Sequence, residues 1–81
     1  MLNPNNRFFI EKDNFSRLTG EAIRDIRIEC GLSQEELGGL SGYDRTYIGA
    51  IERGEKNVSF YAIYKILTAL ETDPAEFFKK I

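Results

Sequence analysis

The sequence predicts an all-α domain of five short helices, and three observations carry that reading. Apolar residues recur three and four positions apart along most of the chain, the period of a helix with one buried face. Ser33, Asp44, Ser59 and Asp73 each stand just before such a stretch, where a side-chain oxygen can cap free backbone N–H groups. Gly31, Gly42 and Gly54 stand just after three of them, where a helix ends in a left-handed residue. No segment shows the strict alternation of a strand.

Residues 1–14 read as an N-terminal arm and residues 15–81 as the domain. Asn3-Pro4-Asn5-Asn6 is a loop signal. The apolar patch Phe8-Phe9-Ile10 that follows is either a lid over the core or part of a dimer contact. A first helix is expected from about Phe15 to Cys30, with Phe15, Leu18, Ala22, Ile23 and Ile26 inward. Gly20 weakens its first turns, and Cys30 reads as a small buried residue at its end. Ser33 and Glu36 have the spacing of a capping box, which starts a second helix with Leu37 and Leu40 inward. Asp44 opens a third helix, Arg45 to Arg53. Ser59 opens a fourth, to about Leu70, with Ile63, Ile66, Leu67 and Leu70 inward. Asp73-Pro74-Ala75-Glu76 opens a short fifth helix carrying Phe77, Phe78 and Ile81.

Composition narrows the chemistry. The chain has 81 residues, one cysteine and no histidine. An internal disulfide, a Cys/His zinc site and a His-activated nucleophile are therefore ruled out. Without a glycine-rich phosphate loop or a cluster of metal ligands, an enzyme is not expected, nor is a cofactor or a metal. A single cysteine suits a reducing compartment, and neither a signal-peptide pattern nor a membrane-length apolar run is present, so a cytoplasmic protein is expected. The net charge is −2, which is unfavourable for binding nucleic acid. Its distribution is uneven. Residues 21–42 hold five acidic against two basic side chains, and residues 43–65 hold four basic against three acidic.

Gln34–Arg53 meets the demands of two helices joined by a tight turn. Leu37 is an apolar anchor near the start of the first helix. Gly38 is small where the helices cross, and Gly42 accepts positive φ in the turn. Ile48 and Ile51 lie three apart on the face of the second helix toward the first. On a helical wheel Arg45, Thr46, Gly49, Glu52 and Arg53 fall opposite them. The first turn of such a helix is the part that enters a major groove. Arg45 can donate two bonds to guanine, Thr46 can offer a hydroxyl or methyl, and Gly49 can let the backbone come close. Gln34, at a helix N-terminus, suits a phosphate. Lys56 and Asn57 follow the third helix and suit the DNA backbone on its far side. Asp44 suits an N-cap or a carboxylate orienting Arg45. Glu52 can pair with Arg24 or Arg27. Arg53 suits either DNA or an internal partner.

The stretch GLSQEELGGLSGYDRTYIGAIERGEKNVS resembles the Cro/C1-type helix-turn-helix family, also called the XRE family, and the resemblance extends over about residues 20–78. D-R-T-Y-I, then I-E-R-G, then N-V-S, and the later Phe77-Phe78 pair are most similar to restriction–modification controller proteins. The resemblance implies a lambda-repressor-like five-helix domain that binds paired operator half-sites as a homodimer and regulates transcription, with RNA polymerase as a partner if it activates. Carried over by position, it implies base reading by Arg45 and Thr46. It implies contacts to the DNA backbone or its vicinity from Tyr47, Gln34, Lys56 and Asn57. Gly49 stands where relatives often carry Ser, Gly38 where Ala is usual, and Lys56 where Arg is frequent. A phage or mobile-element repressor and a DNA-binding antitoxin share the same chemistry.

Dimerisation has its own candidates. Tyr61 and Tyr64 flank the inward face of the fourth helix, and Phe77, Phe78 and Ile81 crowd the fifth, with at least one of the two phenylalanines expected in the core. An exposed aromatic patch is a partner surface. A two-fold dimer through these helices would set two recognition helices about 34 Å apart.

Overall fold

A computed structural model describes residues 2–55 and 57–81. Five helices follow one another: α1 (Lys12–Glu29), α2 (Gln34–Ser41), α3 (Arg45–Glu52), α4 (Phe60–Ala69) and α5 (Pro74–Lys79). Among the described residues there is no strand. Helix α3 packs against α1 and α2, α2 also against α4, and α4 carries α5. The core is Ile23, Leu37, Ile48, Ile51, Ile63, Ile66, Leu67, Leu70 and Phe77. Each of the five helices therefore contributes to one cluster around α3 and α4.

The caps lie where the residues require them. Ser33 Oγ accepts the Glu36 N–H at 3.0 Å, and Glu36 accepts the Ser33 N–H at 2.8 Å. Hydrogen bonding from Ser33, its backbone N–H first, holds the Glu36 carboxyl below its ordinary 4.5. Asp44, Ser59 and Asp73 accept from Thr46, Ala62 and Ala75. Gly31 closes α1 with φ +72°, and the Leu32 N–H reaches back to the Arg27 carbonyl at 3.1 Å. Glu71 makes the same turn after α4 at φ 53°, without glycine's freedom.

Several sequence expectations are corrected. Helix α1 begins at Lys12, inside the expected arm, because the Glu11 carboxylate caps it by accepting the Asp13 N–H. The Phe8-Phe9-Ile10 patch is not a lid: Phe8 is 76% exposed, and none of the three packs on the core. Asn3 and Asn6 instead fold the arm into local turns through their own side chains. Phe15 stands at the core's edge, one turn before the buried stripe Thr19, Gly20, Ile23 and Arg27, and stacks on Phe78. Leu40 is exposed because Leu37, Gly38 and Ser41 form the inward face of α2, about 100° away around the helix. Cys30 is exposed, since the chain turns away at Gly31.

Two features fix α3. Gly20 is the point where α1 touches it; a Cβ there would run into the Ile51 carbonyl and lie 2.9 Å from that of Glu52. Beside that crossing, Arg27 of α1 and Glu52 of α3 form a buried two-bond ion pair, Nε–Oε2 2.7 Å and Nη2–Oε1 3.0 Å. Arg27 Nη1 also donates to the Leu32 carbonyl at 2.7 Å, and Gln34 Nε2 donates to Glu52 Oε1 at 3.1 Å. Every oxygen of the Glu52 carboxylate therefore has a donor, in a site where its side chain is 1% exposed.

Both features give stability tests. Gly20→Ala should lose about 1–3 kcal/mol in urea unfolding through overpacking, although alanine favours helix. Arg27→Met should lose about 3–5 kcal/mol by stranding Glu52. The double variant Arg27→Met/Glu52→Leu should recover most of that loss, because no buried charge then remains. Equal losses in the single and double variants would mean that packing, not charge, holds this site.

Candidate nucleic-acid interface

The exposed surface of α3 is narrow. Arg45 and Thr46 lie in its first turn and are open to solvent. Asp44 accepts the Thr46 N–H at 2.8 Å, which fixes the turn that carries them. Asp44 is therefore the N-cap, as its position before Arg45 suggested. Tyr47 is half-buried and packs on Tyr43 with ring centroids 4.9 Å apart. Desolvation and the neighbouring Tyr43 push the Tyr47 phenol above its ordinary value, so it stays a neutral donor at physiological pH.

Gly49 differs from the expectation. Its backbone is buried, and a Cβ there would lie 3.2 Å from Arg53 Nη1 and 3.4 Å from Gln34 Oε1. Those two side chains cover the strip that the wheel left open. The wheel is blind to α2, whose N-terminus crosses α3 at this point. Glu52 is also absent from the outer face, having turned in toward Arg27. Of the five residues placed opposite Ile48 and Ile51, Arg45, Thr46 and Arg53 remain outside.

Gln34 and Arg53 are both engaged. The Gln34 amide spends one N–H on Glu52, so it braces α2 against α3 as well as facing outward. Arg53 grips Glu55 through Nε–Oε2 at 2.6 Å and Nη2–Oε1 at 3.3 Å, with both side chains more than half exposed. The pair raises the Arg53 pKa and lowers that of Glu55, chiefly through their hydrogen bonds. Asn57 is exposed beside Val58 and near Lys12 and Ser16 of α1. Lys56 lies outside the described residues.

The expected dimer residues divide. Tyr61 is 66% exposed, Tyr64 is 49% exposed, and the two rings stack at 6.1 Å. Phe78 and Ile81 are half-buried against the core. Phe77 is corrected: at 3% exposure it is a core residue, because the Pro74 start of α5 turns it inward beneath Phe78. Sequence reasoning missed Phe60, 72% exposed and stacked on Phe78 at 5.9 Å. It also missed Lys65, whose ammonium lies on the Tyr43 ring. Their only sequence signal was a place on the flanks of α4, which a single wheel cannot assign. No helix among the described residues is long and apolar enough to cross a membrane.

Residues 23–77 match the helix-turn-helix family. The control protein C.BamHI of Bacillus amyloliquefaciens is 42% identical over 65 residues, 79% of this chain and 80% of that protein. The restriction–modification controller protein C.AhdI of Aeromonas hydrophila superposes with a TM-score of 0.76 at 47% identity, covering 79% of this chain and 97% of that one. The controller protein C.Esp1396I, solved as a tetramer in complex with its natural 35 base-pair operator, superposes with a TM-score of 0.74 at 36% identity, over 79% and 84% of the two chains. With a matching sequence, five helices in the same arrangement and relatives of this kind, the chain belongs to the helix-turn-helix family, among proteins similar to restriction–modification controllers.

Proposed function

We propose that this protein is a restriction–modification controller: a cytoplasmic homodimer that binds operator half-sites and regulates transcription, touching RNA polymerase where it activates. One observation carries the reading. The first turn of α3 holds Arg45 and Thr46 free in solvent, while the rest of the helix is clamped to α1 and α2. A rigid helix with an open N-terminal turn suits insertion into a major groove. Arg45 is assigned to a guanine edge and Thr46 to a neighbouring base. Gln34, Tyr47, Arg53, Lys56 and Asn57 are assigned to the DNA backbone. Gly49 serves by its bare Cα, which lets Gln34 and Arg53 lie close on α3.

The dimer follows from charge. With a net charge of −2 a lone protomer has little electrostatic attraction for DNA, and two protomers on paired half-sites double the specific contacts. Tyr61 and Tyr64 form the centre of the proposed two-fold surface, with Phe78 and Ile81 at its edge and Phe77 supporting it from the core. That C.Esp1396I was solved as a tetramer on its operator supports binding as a multimer.

The test begins with duplexes enriched from a randomised pool by the wild-type protein. Arg45→Ala should lose about 1–3 kcal/mol of discrimination at one base pair per half-site, while its affinity for unrelated DNA changes little. Unaltered operator binding by this variant would remove Arg45 from the reading head. Glu55→Gln should act in the opposite sense. It frees Arg53, so affinity for any duplex should rise about three- to tenfold, and the slope of log K against log salt should steepen by about one. An unchanged slope would place Arg53 clear of the phosphates.

A further inference from the structure

The turn between α2 and α3 is held from behind by a residue outside both helices. Lys65, on the flank of α4, places its ammonium 4.6 Å from the Tyr43 ring centroid and 5.8 Å from that of Tyr61. Its Nζ also packs over Gly42, where a Cβ would lie only 3.3 Å away. Among the described residues no carboxylate pairs with Lys65. Its charge is therefore balanced by aromatic faces, an attraction that strengthens as water is excluded. Tyr43 in turn packs on Tyr47, 4.9 Å between centroids, in the first turn of α3. A continuous run of contacts thus links Tyr61, Lys65, Tyr43 and Tyr47, from α4 to the first turn of α3.

We propose that Lys65 is a positioning residue for DNA recognition: by cation–π contact it seats Tyr43, and through Tyr43 it sets Tyr47 and the α3 first turn in their DNA-facing geometry. Gly42 serves the same end twice. It takes the left-handed φ of +83° that the turn requires, and it leaves room for the ammonium. Tyr61 forms the second wall that keeps the ammonium over Tyr43. The assignment rests on the DNA-binding reading above, but its test is separable. Failure of the wild-type protein to enrich any duplex would sink the reading, whereas the comparison of variants below addresses Lys65 alone.

Lys65→Met keeps the aliphatic stem and removes the charge. Lys65→Arg restores a cation able to stack on an aromatic ring. Each is compared with wild type by operator affinity over a salt series, by melting temperature and by sedimentation. The expected result is a roughly tenfold or greater loss of operator affinity for Lys65→Met at an unchanged salt slope, with recovery to within about threefold of wild type in Lys65→Arg. Melting temperature and dimer dissociation should stay near wild type in both. A salt slope reduced by about one in Lys65→Met would make Lys65 a phosphate contact and overturn the proposal. So would wild-type affinity in Lys65→Met, an equal defect in Lys65→Arg, or an affinity loss that only tracks a fall in melting temperature or in dimerisation.

Discussion

The buried Arg27–Glu52 pair is the interaction on which the placement of α3 depends. Helix α3 is eight residues long and would not persist alone in water. Its apolar side, Ile48 and Ile51, holds it to the core but leaves it free to slide or roll. The bidentate bond to α1 removes that freedom, because a guanidinium and a carboxylate meet well in only one orientation. Gln34 and the Leu32 carbonyl complete the shell, so α1, α2 and the loop between them converge on one charged centre. A hydrophobic replacement could be as stable. The ion pair supplies a direction, and the proposed insertion of α3 into a groove requires one.

Around this fixed helix the polar groups are used sparingly. Asp44, Ser33 and Ser59 are consumed in caps, Gln34 is half consumed by Glu52, and Arg53 is held by Glu55. Among the described residues, what stays open to a partner without breaking such a bond includes the first turn of α3, with Asn57 beyond it, and the aromatic surface of α4. These two surfaces are linked through the turn, where Tyr43, Gly42 and Lys65 meet.

The helices were legible because their signals are local. Ser33 and Glu36, or Asp73 and Pro74, announce a helix start whatever surrounds them, and the period of Ile63, Ile66, Leu67 and Leu70 marks a buried face unaided. The partner of Glu52 was half legible: Arg24 and Arg27 were both in reach by spacing, and only the crossing of α1 and α3 selects Arg27. The misplaced residues all depend on a neighbouring element. Gly49 looked open because a wheel carries no knowledge of α2, and which of Phe77 and Phe78 enters the core was illegible because the tilt of α5 is set by α4. Leu40 is an apolar residue at the right period on a stretch that nothing covers, and Phe15 meets only the edge of the core through Phe78. The arm's fate was illegible for the same reason, since its apolar patch could be assigned only by knowing whether the core had room for it.

The Arg53–Glu55 clip also bears on how a regulator finds its target. A genome presents millions of non-cognate sites, and each basic residue left free on the DNA-facing surface lengthens the time lost on every one of them. With Arg53 in the proposed phosphate role, tying it to Glu55 in the free protein lowers the occupancy of those decoys. On that reading the clip restrains binding to every site alike: it lowers absolute affinity, shortens each stay on a wrong sequence and leaves discrimination to the first turn of α3.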